Sequence, residues 1–136
     1  MNESKLDVKK RAVIEIAENL FLSQGLATTE MKEIARCASI SRSTLYRMFD
    51  SRETLAFAVA DKCLHELFDP KPMEIYGTDR SGFEILRSYS SNLIETMIQG
   101  VRYVKYLSEF DQMFSGDYPD TPEARKYVQF NRQRHD

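Results

Sequence analysis

The stretch Ser39-Ile40-Ser41-Arg42-Ser43-Thr44-Leu45-Tyr46-Arg47-Met48-Phe49, followed by Ser51-Arg52-Glu53-Thr54-Leu55, constrains this chain more than any other. It reads as a tight turn and then a very short helix with two unlike sides. Ser41 suits the N-cap, where its hydroxyl accepts from the exposed backbone donors of the first turn. Leu45 and Phe49, four apart and flanked by Met48, bury on one face, which leaves Arg42, Ser43, Thr44, Tyr46 and Arg47 outside. Cations, hydroxyls and a phenol beside a helix N-terminus donate to phosphate oxygens and base edges, and the helix dipole adds positive potential there. Upstream, Thr28-Thr29-Glu30 offers capping hydroxyls and an acidic first turn to a helix carrying Met31, Ile34, Ala35 and Ala38. The link from Ala38 to Ser41 has room only for a tight turn, so the pair reads as a helix-turn-helix. Other short amphipathic pairs share this pattern. On that alternative the serines and threonines only cap, and the arginines are solvated.

Every other strong segment also reads as helix. Lys5 to Gln24 places Val8, Ala12, Val13, Ile16, Ala17, Leu20 and Phe21 along one face and ends at Gly25. Ser51 caps a helix to about Phe68 with the stripe Leu55, Val59, Cys63 and Leu67; Pro70 and Pro72 stop it, and a loop follows to Asp79. A helix from about Arg80 to Gln99 is expected to turn Phe83, Leu86, Tyr89, Ser90, Leu93 and Met97 inward and to close at Gly100. Another runs from Val101 to Phe114. After a turn over Ser115-Gly116-Asp117-Tyr118-Pro119, Thr121-Pro122-Glu123 starts a last helix with a hydroxyl cap, a proline and an acid. The fold class is all-α.

With 42% hydrophobic and 29% charged residues the composition is that of a soluble globular protein. No apolar run reaches the roughly 18 residues of a membrane span, and the charged N-terminus lacks a signal peptide's apolar core, so a cytoplasmic protein with no membrane partner is expected. Cys37 and Cys63 lack metal spacing and are expected as buried thiols. The net charge of −2 conceals an asymmetry: residues 1–52 carry nine Lys/Arg against seven Asp/Glu, and residues 53–136 carry ten against fourteen. A mildly basic front suffices for a polyanion, which needs a local positive face.

From Arg11 to Leu55 the chain resembles the DNA-binding domain of the TetR family of bacterial transcriptional regulators. The matching residues are Arg11, Ile14, Ala17, Leu20, Phe21 and Gly25, then Thr29, Ile34 and Ala35, then Ile40, Ser41, Thr44, Leu45, Tyr46, Phe49, Ser51, Glu53 and Leu55. Two positions depart from the pattern. Ser39 stands where the family usually has glycine, costing roughly 1 kcal/mol if that position is left-handed. Arg52 replaces the usual lysine and keeps its charge. The resemblance implies a helix-turn-helix DNA-binding domain over residues 1–51 and a helical effector-binding and dimerisation domain over 52–136. It further implies a ligand-responsive homodimeric repressor that binds a near-palindromic double-stranded DNA operator through the helix 42–48. On this reading Thr44, Tyr46 and Arg52 contact the DNA backbone, and Arg42, Ser43 and Arg47 read base edges, where an arginine grips O6 and N7 of guanine. Thr29 and Ser41 sit where caps and phosphate contacts coincide, and Lys32 and Arg36 are weaker candidates. Family members are longer, with a dimer interface made mostly by their last two helices, so C-terminal helices absent from this sequence are expected, the alternative being a shortened natural member.

The stripe Phe83, Tyr89, Met97, Tyr103, Tyr106 and Phe110, with Met113 and Phe114, is for any single residue more often plain core. A cluster of tyrosines whose hydroxyls need partners instead suggests a pocket for a small apolar or aromatic effector, with those first six residues as its lining. His65 could contact such a ligand or lie at a surface boundary. Two histidines, no phosphate loop, no nucleophile elbow and no metal-ligand spacing give no support for an enzyme, a catalytic residue, a metal or a cofactor. Two rivals remain: a protein-interaction module that kept the fold without DNA binding, and a regulator with no small-molecule ligand.

Overall fold

A computed structural model describes residues 4–69, 81–114 and 116–135. Among the described residues there are six helices in order: α1 (Lys5–Gln24), α2 (Met31–Cys37), α3 (Arg42–Met48), α4 (Arg52–Phe68), α5 (Gly82–Phe114) and α6 (Pro122–His135). The loop expected between Pro70 and Asp79 lies outside the described residues.

Capping fixes most helix starts. The Ser4 hydroxyl accepts from the Asp7 N–H at 3.1 Å and donates to the Asp7 carboxylate at 2.7 Å, a reciprocal arrangement that secures the first turn of α1. Ser41 and Ser51 each accept from the backbone N–H three residues on, at 3.1 Å, and Thr121 does the same for α6 at 3.2 Å. The threonines before α2 act differently from expectation. Thr28 and Thr29 donate to the Gln24 and Gly25 carbonyls, closing the end of α1, while Glu30 occupies the N-cap of α2 without a side-chain cap bond. The orphan carbonyls of α1 lie within reach of those hydroxyls in the short connection, and they win the competition.

The turn between α2 and α3 is a Schellman closure. The Ser39 N–H reaches the Arg36 carbonyl and the Ile40 N–H reaches the Ala35 carbonyl, both at 3.1 Å. This geometry puts the closing residue in the left-handed region, and Ser39 has φ +56°.

One core runs through the molecule. Val13, Ala17, Phe21, Leu26, Ile34, Leu45, Phe49 and Leu55 join α1–α3 to the start of α4. Further along α4, Phe57 sits against Phe110, Phe114, Tyr118 and Tyr127, with ring centroids 4.6–5.8 Å apart. α4 thus packs on α1 with one side and on α5 and α6 with the other, and Val59, Ala60 and Cys63 are fully buried. Cys37 departs from expectation and is exposed. α2 is only seven residues long and buries Met31, Ile34 and Ala35, leaving Cys37 at its last position beside Arg36.

α5 is one helix of 33 residues where two were expected. Gly100 does not end it: an interior glycine costs about 1 kcal/mol, too little to interrupt a ladder with good helix formers on both sides. The stripe expected to face inward is also misplaced. Burial is confined to Tyr103, Tyr106 and Phe110 in the C-terminal third, while Phe83, Leu86, Tyr89, Leu93 and Met97 are exposed.

Candidate nucleic-acid interface

The short helix α3 is held by one face. Leu45 is buried, Phe49 follows it into the core, and Met48 packs against the same cluster. Because 100° separates successive residues, anchoring Leu45 and Phe49 turns Arg42, Ser43, Tyr46 and Arg47 outward, and all four are exposed. Among the described residues neither Arg42 nor Arg47 has an ion-pair partner, so both guanidiniums keep five donors for an external acceptor.

Ser41 and Thr44 are engaged locally. Their hydroxyls lie 2.7 Å apart, and Ser41 also lies 3.1 Å from the Ser43 hydroxyl. The three hydroxyls form a polar knot at the N-terminus of α3, each with acceptor or donor capacity left over. Thr29 does not join this surface. It is fully buried, and its hydroxyl donates to the Gly25 carbonyl at 2.8 Å.

Arg52 is held by the fold as well as placed at its surface. Its Nη1 donates to the carbonyls of Ala27 and Thr29, both at 3.4 Å, and its Nη2 lies 3.9 Å from Glu53. The side chain ties the start of α4 to the α1–α2 connection. Sequence reasoning missed this bracing role, since 25 residues separate Arg52 from Ala27 and no periodicity links them. Of the weaker candidates, Lys32 is exposed and paired with Glu30 at 3.2 Å, and Arg36 is exposed next to Cys37.

The residues expected to line an effector pocket are not brought together. Phe83, Tyr89 and Met97 are 73%, 55% and 63% exposed, whereas Tyr106 and Phe110 are buried in the core and Tyr103 lies at its edge. The Tyr106 hydroxyl donates to the Ala56 carbonyl at 2.7 Å, and its ring stacks on Phe21 at 5.9 Å, so it joins α1, α4 and α5. Burial holds its phenol well above the ordinary value. A cleft of about 830 Å³ lies instead between α4, α5 and α6, walled by Leu64, Leu67, Leu107, Asp111, Tyr127 and neighbours. It depends on the mutual placement of three helices, and no local sequence signal marks it. His65 faces α6, with its ring 4.1 Å from Phe130 and its Nδ1 2.9 Å from Asp69. Among the described residues no group of three metal-ligating side chains forms, and no helix is long and apolar enough to cross a membrane.

Comparison with known proteins bears on the same segment. Residues 13–59 match the family described as bacterial regulatory proteins, tetR family. An uncharacterized HTH-type transcriptional regulator of Mycobacterium tuberculosis is 50% identical over 46 residues, which is 34% of this chain and 23% of that protein. The HTH-type transcriptional repressor KstR2 of Rhodococcus jostii is 33% identical over 60 residues, 44% of this chain and 29% of its own length. The HTH-type transcriptional regulator TtgR of Pseudomonas putida is 37% identical over 57 residues, 42% of this chain and 27% of its own. The match therefore spans about a quarter of each relative's length.

Proposed function

We propose, from the premise that its N-terminal segment belongs to the tetR family of bacterial regulatory proteins, that this chain is a DNA-binding transcriptional regulator. The observation that carries the reading is α3 itself. A seven-residue helix capped by Ser41 and anchored by Leu45 presents Arg42, Ser43, Tyr46 and Arg47 outward, a donor-rich ridge that fits a major groove. Arg42, Ser43 and Arg47 are its base readers. Thr44, Tyr46, Arg52 and the helix N-terminus at Ser41 contact phosphates, with Arg52 doing so while bracing the α1–α2 connection. Thr29 supports the interface from within.

One such helix reaches only a few base pairs. Two copies related by a two-fold axis would read a near-palindromic site in successive major grooves, which is why we infer a homodimer. Residues 1–51 form the DNA-binding unit and residues 52–136 the effector unit, with α4 shared between their cores. The regulator acts as a repressor released by a small molecule in the α4–α5–α6 cleft. A ligand there moves α4, whose first residue is tied to the α1–α2 connection, and so changes the spacing of the recognition helices. Such coupling is typically ~1–3 kcal/mol. The protein works where the DNA is, in the cytoplasm, and the reading assigns it no catalytic residue.

Footprinting and gel shifts on DNA flanking the gene test the proposal. Arg42→Ala and Arg47→Ala should each relax preference at particular base pairs by about 1–3 kcal/mol. Tyr46→Phe should weaken specific and random duplexes alike. Equal losses on both kinds of DNA for all three variants would overturn the assignment of base readers.

A further inference from the structure

The α4–α5–α6 cleft has a chemical bias that the effector reading leaves open. One side is apolar: Leu64 and Leu67 from α4 face Val104 and Leu107 from α5. Further along α5, and on α6, the lining is polar and carries a single charged side chain, Asp111, accompanied by Ser108, Gln112 and Asn131. No lysine, arginine or histidine is among the residues that line it.

Two tyrosines hold that carboxylate. Tyr127 donates to its Oδ1 at 3.0 Å from α6, and Tyr118 approaches the same oxygen at 3.5 Å from the preceding turn. Neither hydroxyl takes Oδ2. Burial first, and then the charge of Asp111, raise the Tyr118 phenol above its ordinary value, so it remains a donor at neutral pH. The cleft wall thus carries a carboxylate held by two hydroxyls, with no lysine, arginine or histidine beside it in the lining.

Size and charge together narrow the occupant. About 830 Å³ suits a molecule of drug-like bulk. An anion of that bulk would meet Asp111 with like charge. A neutral apolar body would strip water from the carboxylate and return nothing. A bulky apolar cation buries its hydrocarbon against the leucines and pairs with Asp111. We propose that the cleft is selective for lipophilic organic cations, with Asp111 as the residue that sets the charge preference. This rests on the reading of the chain as a ligand-responsive regulator.

The test compares three probes of similar shape and different charge on the full chain: tetraphenylphosphonium, tetraphenylborate and neutral triphenylphosphine oxide. Binding is read by calorimetry, and release of a DNA fragment by gel shift. The phosphonium should bind at least about tenfold more tightly than the borate, which corresponds to ~1.4 kcal/mol. Asp111→Asn should lose about tenfold of that affinity. Asp7→Asn, the same charge change on α1 far from the cleft, should lose none. Leu107→Lys supplies a second arm should Asp111→Asn melt early: it should favour the borate over the phosphonium. Equal affinities for phosphonium and borate, or an Asp111→Asn variant that behaves like Asp7→Asn, would overturn the proposal. If the borate or the phosphine oxide binds and releases DNA while the phosphonium does not, charge selectivity is wrong and the ligand-responsive reading survives. If none of the three binds, both the selectivity and the cleft's role as effector site are overturned.

Discussion

Ser39 closes α2 with a left-handed backbone, φ +56°, and a side chain exposed to solvent. A residue with a Cβ is strained there and gains no visible packing in return, so Ser39→Gly should raise stability by about 1 kcal/mol. A thermal melt that does not move upward would show that the serine is compensated elsewhere. Cys63 makes a prediction about pH. Its thiol, buried against α4's neighbours and near the charge of Glu18, is pushed up from 9.0 to about 12. Between those values the unfolded chain gives up a proton that the folded chain retains, so stability is full below pH 9 and declines as pH rises toward 12. Tyr106, held well above 10.0 by burial, acts in the same direction. Denaturant melts across this range should therefore weaken with pH, and Cys63→Ala should make the early part of the decline shallower. A stability that climbs with alkali would contradict this account of both groups.

At the scale of the element, α3 is too short to hold itself together. Seven residues form fewer than two full turns, well below the length at which isolated helices persist in water. Its stability is borrowed from Leu45 and Phe49. Leu45→Ala should then cost roughly 2–5 kcal/mol and lower the melting of the whole N-terminal unit, whereas exposed Arg47 can be replaced with little effect on the melt. Finding the two variants equally stable by circular dichroism would mean that α3 is not anchored as described. α5 shows the opposite case. With 33 residues it propagates through Gly100 even though two thirds of its length is unburied, because each added residue completes another backbone hydrogen bond.

At the scale of the molecule, α4 is the shared member. Lys62 on α4 pairs with Glu18 on α1 at 2.5 Å, and Glu18 is almost fully enclosed. Burial opposes the charge on Lys62, but the hydrogen bond and field of Glu18 outweigh it and raise the lysine's pKa. The pair is intermediate between buried and surface, so Glu18→Gln should cost about 1–3 kcal/mol, between the ranges for those extremes. A double-mutant cycle with Lys62→Met reads the coupling directly, and a cycle that closes to zero would assign the loss to packing alone. With Tyr106 bonded to the Ala56 carbonyl and Arg52 bonded across to Ala27 and Thr29, α4 is fastened to helices on both sides.

The local decisions could be read in the sequence itself. Ser41, Ser51 and Thr121 announce their helices because a hydroxyl at an N-cap needs only its own first turn, and Gly25 marks a closure that depends on backbone sterics alone. The outward set on α3 follows from the spacing of Leu45 and Phe49. What the tertiary structure decided is which partner each group would choose. Thr29 and Arg52 read as DNA contacts by resemblance, yet one hydroxyl is spent on Gly25 and one guanidinium is shared with the carbonyls of Ala27 and Thr29, partners brought close only by folding. The stripe Phe83, Tyr89 and Met97 has helical spacing but no facing helix among the described residues, so periodicity marked a face without saying what meets it. Asp111 carried no signal at all in the sequence, since its place beside Tyr118 and Tyr127 exists only once α4, α5 and α6 are packed together.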